Sequence, residues 1–224
     1  GHTGSNAIAY SAYKKLNYKP DDFTALTDLS WFPNVLTVPT SSPYKSVADL
    51  IADMKARPGK VSYASAGVGQ TTHLTGELFK MRVGADALHV PYKGSTPATM
   101  AVVAGEVNFM FDNLVQALPQ VKGGKERALA VTGPRRDPSL PQVPTMAEAG
   151  VKDAVVVGWL GFFVPSKAPA DVRKKLADSL ITVLNDPEVR KQISGLGSTP
   201  GGQPQADFAK MVAKAVVVWR EVIE

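Results

Sequence analysis

The sequence contains no cysteine among its 224 residues. It therefore forms no disulfide, carries no thiolate nucleophile and cannot build a cysteine-ligated zinc or iron–sulfur centre. Histidine is also scarce, because only His2, His73 and His89 are present, and these are too few and too scattered to ligate a metal on their own. We expect neither a metal site nor a cofactor.

Long apolar runs are missing as well. No segment approaches the roughly 20 apolar residues of a membrane-spanning helix, and the first residues show no basic-then-apolar signal segment. Lys and Arg number 25 against 20 Asp and Glu, but they fall in short clusters such as Arg135–Arg136 and form no arginine-rich tract. We interpret them as solvated surface charge and expect no nucleic-acid partner. The hydrophobic content of 44% is typical of a folded, globular chain.

Short β-branched runs alternate with helical patterns from residue 35 onward, which predicts an α/β fold with crossover helices. One helix is expected over Val47–Arg57 behind a Ser46 cap, and another over Thr96–Ala104 with Thr96 as its cap. After Pro169 the pattern is mainly helical. The expected strands lie near residues 35–38, 60–65, 87–92, 107–111, 127–132 and 154–164.

Two segments, residues 35–38 and 154–165, are unusually apolar for half-exposed strands. We interpret them as crossings between two lobes. The first lobe then comprises residues 1–38 plus 160–224, and the second comprises residues 39–159. Ligands favour the crevice between such lobes. The alternative is one continuous sheet with both strands at its centre.

A strand, a glycine-bearing turn and a helix follow one another in VSYASAGVGQTTHLTGELF, residues 61–79. Gly67 and Gly69 let backbone amides turn toward a guest, and a helix start adds unpaired N–H groups with a partial positive charge. The hydroxyls of Thr71 and Thr72 are further donors. The pattern predicts a site for a carboxylate or a phosphate. The alternative is a tight turn with a simple helix cap.

Nucleotide-binding versions of this turn are not supported. A dinucleotide fingerprint requires a third glycine where Thr72 stands and an acidic residue where Tyr92 and Lys93 occur. A phosphate-binding nucleotide loop requires Gly-Lys-Ser/Thr, which this turn lacks.

Two further strand ends carry polar residues. In HVPYKGSTPATM, residues 89–100, a strand ends at Gly94-Ser95-Thr96 and a helix begins. This helix start is expected to converge with the one that follows Gly69. Lys93 beside this turn either supplies a charge for the ligand or is simply solvated. In NFMFDN, residues 108–113, Asp112 closes a buried strand at the edge where α/β folds hold ligands. The alternative, which the sequence alone slightly favours, is that Asp112 simply caps the helix that begins at Leu114.

Catalytic constellations are weak in this chain. No G-x-S-x-G elbow is present, and spacing supplies no partner for His73. We expect no enzymatic activity. The alternatives are an enzyme acting on a carboxylate or phosphate in the same cleft with His73 as base, or an interaction module without a ligand.

Several of these segments together resemble the extracytoplasmic solute-binding receptors of tripartite tricarboxylate transporters, the TctC or Bug family. The resemblance covers nearly the whole chain. The segments that carry it are YKKLNYKPDDF (13–23), PNVLTV (33–38), SYASAGVGQTTHL (62–74), HVPYKGSTPA (89–98), MFDN (110–113), RALAVTGPRRDPSLPQVPTMAEAG (127–150) and GWLGFFVPSKAP (158–169).

The resemblance implies a two-lobe α/β periplasmic binding protein of type II-like architecture with two crossover strands. Such a receptor captures a small organic anion, namely a di- or tricarboxylate, an acidic amino acid or an aromatic acid. It acts in the periplasm as a monomer, without cofactor or catalysis, and delivers the anion to membrane transporter subunits or to a sensor kinase.

The resemblance also assigns ligand-binding residues. Gln70 departs from the serine or threonine usual in the family, which leaves the identity of the anion open. Family members begin with a strand, a glycine-rich turn and a helix ahead of the position of Gly1, so the first lobe is expected to be incomplete at its N-terminus. The implied residues are Thr3 and Ser5 from the first lobe and Ser65, Gly67, Gly69, Gln70, Thr71, Thr72, His73, Tyr92, Gly94, Ser95 and Asp112 from the second.

Overall fold

The structure is a computed structural model that describes residues 1–223, with the backbone alone for Glu221 and Val222. The chain forms two compact units, one made of residues 1–31 with residues from 158 onward, the other of Phe32–Val157. The boundaries fall within one long strand and at the start of another. Glu224, the last residue of the expected first lobe, lies outside the described residues.

Helices and strands alternate through most of the chain, so the α/β class expected from the sequence is confirmed. The strands are β1 (Phe23–Pro39), β2 (Ser62–Ser65), β3 (Leu88–Pro91), β4 (Phe109–Asn113), β5 (Glu126–Val131), β6 (Val157–Pro165) and β7 (Thr199–Pro200). The helices are α1 (Ala9–Ala12), α2 (Val47–Ala56), α3 (Thr71–Val83), α4 (Ser95–Ala104), α5 (Leu114–Lys122), α6 (Ala170–Leu184), α7 (Pro187–Gly195) and α8 (Gln205–Ile223), with a π-helix over Gly4–Ile8 and a 3-10 turn over Pro20–Asp22.

The second unit is built on a sheet with strand order β3-β2-β4-β1-β5. Strand β2 is parallel to both β3 and β4, while β1 is antiparallel to β4 and β5. In this register Asn34 lies opposite Asn113, and Pro39 lies opposite Glu126. Since β4 and β5 both oppose β1, Asp112 at the end of β4 and Glu126 at the start of β5 belong to opposite ends of the sheet.

Apolar side chains alternate along the strands and cover both faces of this sheet. One face buries Leu36, Phe109 and Phe111 with Phe79 of α3. The other face packs under α4 and α5 in two smaller clusters, which include Val35 and Met110. Helices therefore cover both faces of this sheet.

The helix starts follow the expected signals with one exception. The Ser46 cap of α2 is confirmed, because its hydroxyl oxygen accepts the N–H of Asp49 at 3.1 Å. The expected Thr96 cap of α4 is wrong, since that helix begins at Ser95 behind Gly94, whose φ of 112° only glycine adopts readily. A glycine therefore fixes the direction of α4 where a side-chain cap was expected.

The expected strand over residues 35–38 is part of a much longer one, because β1 begins at Phe23. Polar residues such as Thr27 and Asp28 concealed its first half in the sequence. Both are fully buried in the first unit. Asp28 accepts hydrogen bonds from the backbone N–H groups of Gly202 and Gln203 at 3.1 and 2.8 Å, so residues far along the chain satisfy this buried carboxylate.

The first unit packs around aromatic rings. Trp159 and Phe163 of β6 meet Phe208 of α8, with ring centroids 5.6 Å apart in both pairs with Phe208. A methyl group on Gly161 would collide with the ring of Phe208, so only glycine permits this approach. None of the helices in the described part of the chain has both the length and the apolar character that crossing a bilayer requires.

Candidate functional site

Three helices begin at one edge of the sheet in the second unit. Strands β2, β3 and β4 are parallel neighbours, so their carboxyl ends meet at the same edge. Each is followed within a few residues by a helix, which places the starts of α3, α4 and α5 together. The sequence predicted the first two of these starts as a convergent pair, and α5 adds a third.

None of the three helix starts is capped by a side chain. Their N-cap residues are Gln70, Gly94 and Asn113, and none of these side chains accepts a hydrogen bond from its helix. In contrast, α2 and α7 are capped by Ser46 and Asp186. An uncapped start presents N–H donors and a partial positive charge. This edge of the sheet therefore favours an anion.

The glycine-bearing turn before α3 uses several of its amides internally. The N–H of Ala66 donates to Thr72 Oγ1 at 2.9 Å, and that of Gly69 donates to His73 Nδ1 at 3.2 Å. The N–H of Gly67 donates to the side chain of Ser65 at 3.2 Å. These side chains therefore fix the shape of the turn that leads into α3.

The second turn is fastened to the first. The N–H of Tyr92 donates to the carbonyl oxygen of Ser65 at 2.9 Å, and the N–H of Gly94 donates to that of Ala66 at 3.0 Å. The amide of Gly94 is consequently engaged by the protein. The two turns form one hydrogen-bonded unit, from which Ser95 begins α4.

Two stacked histidines contact the glycine-bearing turn before α3. The rings of His73 and His89 lie 4.1 Å apart, and His89 Nε2 lies 2.6 Å from Ser65 Oγ. Because His73 Nδ1 accepts from Gly69, that ring is neutral with its hydrogen on Nε2. Burial lowers the pKa of His73, and burial with the charge of His73 lowers the pKa of His89 to about 4. Both rings are therefore neutral at physiological pH.

Asp112 is fully buried at the end of β4. Its Oδ1 accepts the N–H of Asn113 at 2.8 Å, and its Oδ2 lies 2.6 Å from the hydroxyl oxygen of Thr99. The N-cap position of α5 is occupied by Asn113, and within the described part of the chain Asp112 accepts no N–H of the helix itself, so the alternative in which Asp112 caps that helix is wrong. Burial raises the pKa of Asp112 to about 7, partly offset by the hydrogen bonds from Thr99 and Asn113.

Asn34 and His89 were missed as candidates from the sequence. Asn34 is fully buried on β1 opposite Asn113 and donates from Nδ2 to Thr75 Oγ1 at 2.9 Å. Within the described residues, the Oδ1 atoms of Asn34 and Asn113 have no hydrogen-bond partner although both are buried. A single amide inside the apolar run that ends β1 was the available signal for Asn34.

Two of the expected site residues belong to the first unit. Thr3 is 2% exposed, and its hydroxyl oxygen accepts the N–H of Trp159 at 2.8 Å, which fastens the chain start to β6. Ser5 is half-buried and donates to Asn6 Oδ1 at 2.7 Å. The remaining expected residues lie at the edge described above, and they are Ser65, Gly67, Gly69, Gln70, Thr71, Thr72, His73, Tyr92, Gly94, Ser95 and Asp112.

Ser65 and His89 are as close as a catalytic nucleophile and its base, but a substrate has no access to this pair. Ser65 has no exposed surface, and its Oγ also accepts from Gly67. A substrate therefore cannot reach that oxygen. Among the described residues, no group of three or more histidine or acidic side chains could hold a metal ion.

Comparisons with known proteins agree with this description. A family model described as "Tripartite tricarboxylate transporter family receptor" matches residues 3–224. A UPF0065 protein of Pseudomonas sp. (strain P51) is 35% identical over 214 residues, which cover 94% of this chain and 63% of that protein. The chain thus spans just under two thirds of the length of that relative.

Solved structures share the fold. A Rhodopseudomonas palustris protein solved with adipate is 34% identical with a TM-score of 0.95, over 99% of this chain and 75% of that one. MatC from the same organism, solved with bound malate, is 30% identical with a TM-score of 0.91, over 100% of this chain and 78% of that one. A periplasmic transporter and the periplasmic binding protein BugD are among the other solved structures with this fold.

Proposed function

The chain belongs to the tripartite tricarboxylate transporter receptor family, and from this premise we propose that it binds a small organic carboxylate for delivery to a transporter of that type. The observation that carries the proposal is the cluster of three uncapped helix starts at one edge of the sheet. Relatives solved with adipate and malate support a dicarboxylate as the ligand.

Uncharged donors suffice for such a ligand. Micromolar binding requires about 8 kcal/mol, and a hydrogen bond to a charged group contributes about 1.5–3 kcal/mol. Several such bonds are needed once ordering costs are included. We assign them to the first N–H groups of α3, α4 and α5, with the hydroxyls of Thr71 and Ser95 and the amide of Gln70.

Five of the other expected residues, all in or beside the turn before α3, have a positioning role in this proposal. Ser65, Thr72 and His73 accept hydrogen bonds from the turn and so keep it in the shape that presents α3. Gly67 and Gly69 adopt φ angles of 135° and 75°, which side chains rarely permit. Loss of any of these residues would displace the helix start without removing a ligand contact.

We propose that the two compact units are the two lobes of a monomeric periplasmic receptor, with Thr3 and Ser5 as the expected ligand residues of the first unit. Delivery to membrane transporter subunits follows from the family, and delivery to a sensor kinase is the other route. The proposed ligand is a di- or tricarboxylate, an acidic amino acid or an aromatic acid.

Titration calorimetry with adipate, malate, citrate, glutamate and benzoate tests the proposal. At least one acid should bind with micromolar affinity. Thr71→Val should weaken that binding about ten- to a hundredfold, because one hydroxyl donor to a charged group is lost. Thr71→Ser keeps the hydroxyl and should bind nearly as the parent protein does.

Thr182→Val is the matched control, because it removes a hydroxyl that bonds only the carbonyl oxygen of Asp178 on the exposed face of α6. Its affinity should equal that of the parent. Absence of binding by all five acids would refute the receptor function. Equal affinity in the Thr71 and Thr182 variants would remove Thr71 from the site.

A further inference from the structure

Asp112 is an acid buried beside the proposed anion site. It lies between two of the three helix starts, because its Oδ2 contacts Thr99 on α4 and its Oδ1 accepts the N–H of Asn113, the N-cap of α5. Its exposed fraction is 0%. An ionised Asp112 would thus place a negative charge where the helix ends also attract the ligand.

The hydroxyl of Thr99 lies close to two oxygen atoms. Thr99 Oγ1 lies 2.9 Å from the carbonyl oxygen of Ser95 and 2.6 Å from Asp112 Oδ2. A hydroxyl has one hydrogen, so it can donate to only one of these oxygens. If Asp112 carries a proton on Oδ2, it donates to Thr99 Oγ1 while Thr99 donates to Ser95, and both short contacts are hydrogen bonds.

Among the residues that the structure describes, no cation pairs with this carboxyl group. Strand β2, helix α4 and residues 32–39 of β1 contain no ionisable side chain apart from Tyr63, which faces the α3 side. The only cation in α5, Lys122, lies in its last turn. In the turn before α4, Lys93 is exposed and Tyr92 is half-buried. On β5, Glu126 is a second buried acid.

Arg127, the cation on β5, is committed elsewhere. Its guanidinium donates to the carbonyl oxygens of Thr40, Ser42 and Tyr44 at 2.9–3.2 Å. Burial without a neighbouring cation raises the pKa of Asp112 to about 7. The carboxyl group therefore changes its charge close to neutral pH, where ordinary aspartates are fully ionised.

We propose that Asp112 couples ligand binding to proton uptake: the carboxylate takes one proton from solvent when the anion binds and releases it when the anion leaves. This inference rests on the proposed function. No other bond forms or breaks, and in the protonated state Asp112 donates to Thr99. The coupling follows because two negative charges compete for the same helix starts.

Calorimetry in two buffers with different ionisation enthalpies measures the coupling, with the tightest-binding acid of the five above. At pH 7.5 the protein should take up between about 0.3 and 1 proton per anion. Asp112→Asn should take up almost none, because its amide mimics the protonated acid. Glu188→Gln is the control, because it neutralises an exposed acid on α7 that belongs to the other unit, and it should retain the uptake.

The pH dependence separates this role from a structural one. Above neutral pH, the affinity of the parent protein should fall up to about tenfold per pH unit, while the affinity of Asp112→Asn should stay within about twofold. At pH 8.5 the variant should bind the acid at least about tenfold more tightly than the parent protein does. A merely structural Asp112 would instead give a variant that binds more weakly at every pH.

Infrared difference spectra of the parent protein give a second measurement that needs no variant. Addition of the acid at pH 8 should produce the carbonyl band of a newly protonated carboxyl group, and absence of that band overturns the inference. Binding without proton uptake, or uptake that survives in Asp112→Asn, overturns it while leaving the receptor function intact. Absence of binding by every acid overturns both.

Discussion

Replacement of Glu126 by glutamine should make the protein more stable at alkaline pH. Glu126 is 3% exposed, and within the described residues neither of its carboxyl oxygens has a hydrogen-bond partner. Burial, and to a smaller extent the charge of Asp112, raise the pKa of Glu126 to about 8. The nearby Thr37 hydroxyl offsets only part of this rise. The folded state therefore keeps a proton that the unfolded state loses near the ordinary value of 4.5.

The sign and size of the effect follow from proton linkage. Because the folded protein binds the extra proton between the two pKa values, the free energy of unfolding falls as pH rises through that window, by about 1.4 kcal/mol per pH unit. Between pH 5 and pH 8 the loss is on the order of 4 kcal/mol. Glu126→Gln removes this loss and should be close to the parent at pH 5.

Urea unfolding of both proteins at pH 5, 6, 7 and 8 measures the difference directly. The advantage of the variant should grow with each pH step. Glu188→Gln, which changes an exposed acid on α7, should show no such trend. A constant difference between the parent and Glu126→Gln across this range would refute the reasoning, because a group that ionises alike in both states has no linkage.

Two further predictions concern the turns that position the site. Because the pKa of His89 is lowered to about 4, the folded state resists protonation of His89. The thermal midpoint of the parent protein should therefore fall as pH drops from 6.5 to 4, and that of His89→Gln should fall less. Gly94→Ala should cost about 1–3 kcal/mol, since its φ of 112° is strained for alanine although nothing obstructs a Cβ. Gly195→Ala, with equal space and no positive φ, should not destabilise; equal thermal midpoints in the two variants would contradict this explanation.

Much of the fold could be predicted because its signals are local. Alternating patterns predicted the α/β class, and Ser46 with Asp49 three residues later marked the start of α2. The first half of β1 could not be predicted, because Asp28 looks like a loop residue until Gly202 and Gln203 satisfy it from 174 and 175 residues away. Local patterning contains no record of such a partner.

The candidate site also has features that the sequence predicted and features that it did not. The turns at Gly67 and Gly94 were predicted at the correct strand ends, because glycine before a hydroxyl-rich helix start is a local signal. The internal use of their amides was not predicted, since Ser65 meets His89 from 24 residues away. Asn34 was missed because its role depends on lying opposite Asn113, a pairing that the register of β1 with β4 determines.

The sequence by itself therefore determined the family, the class of fold and the three strand ends at which helices begin, because these depend on composition, motif order and short-range backbone preference. Only the tertiary structure decided which donors are left for an anion and which acids are kept from water. Burial and hydrogen-bond partners arise between segments far apart in the chain, as between Thr99 and Asp112, and they set the charge that each group carries.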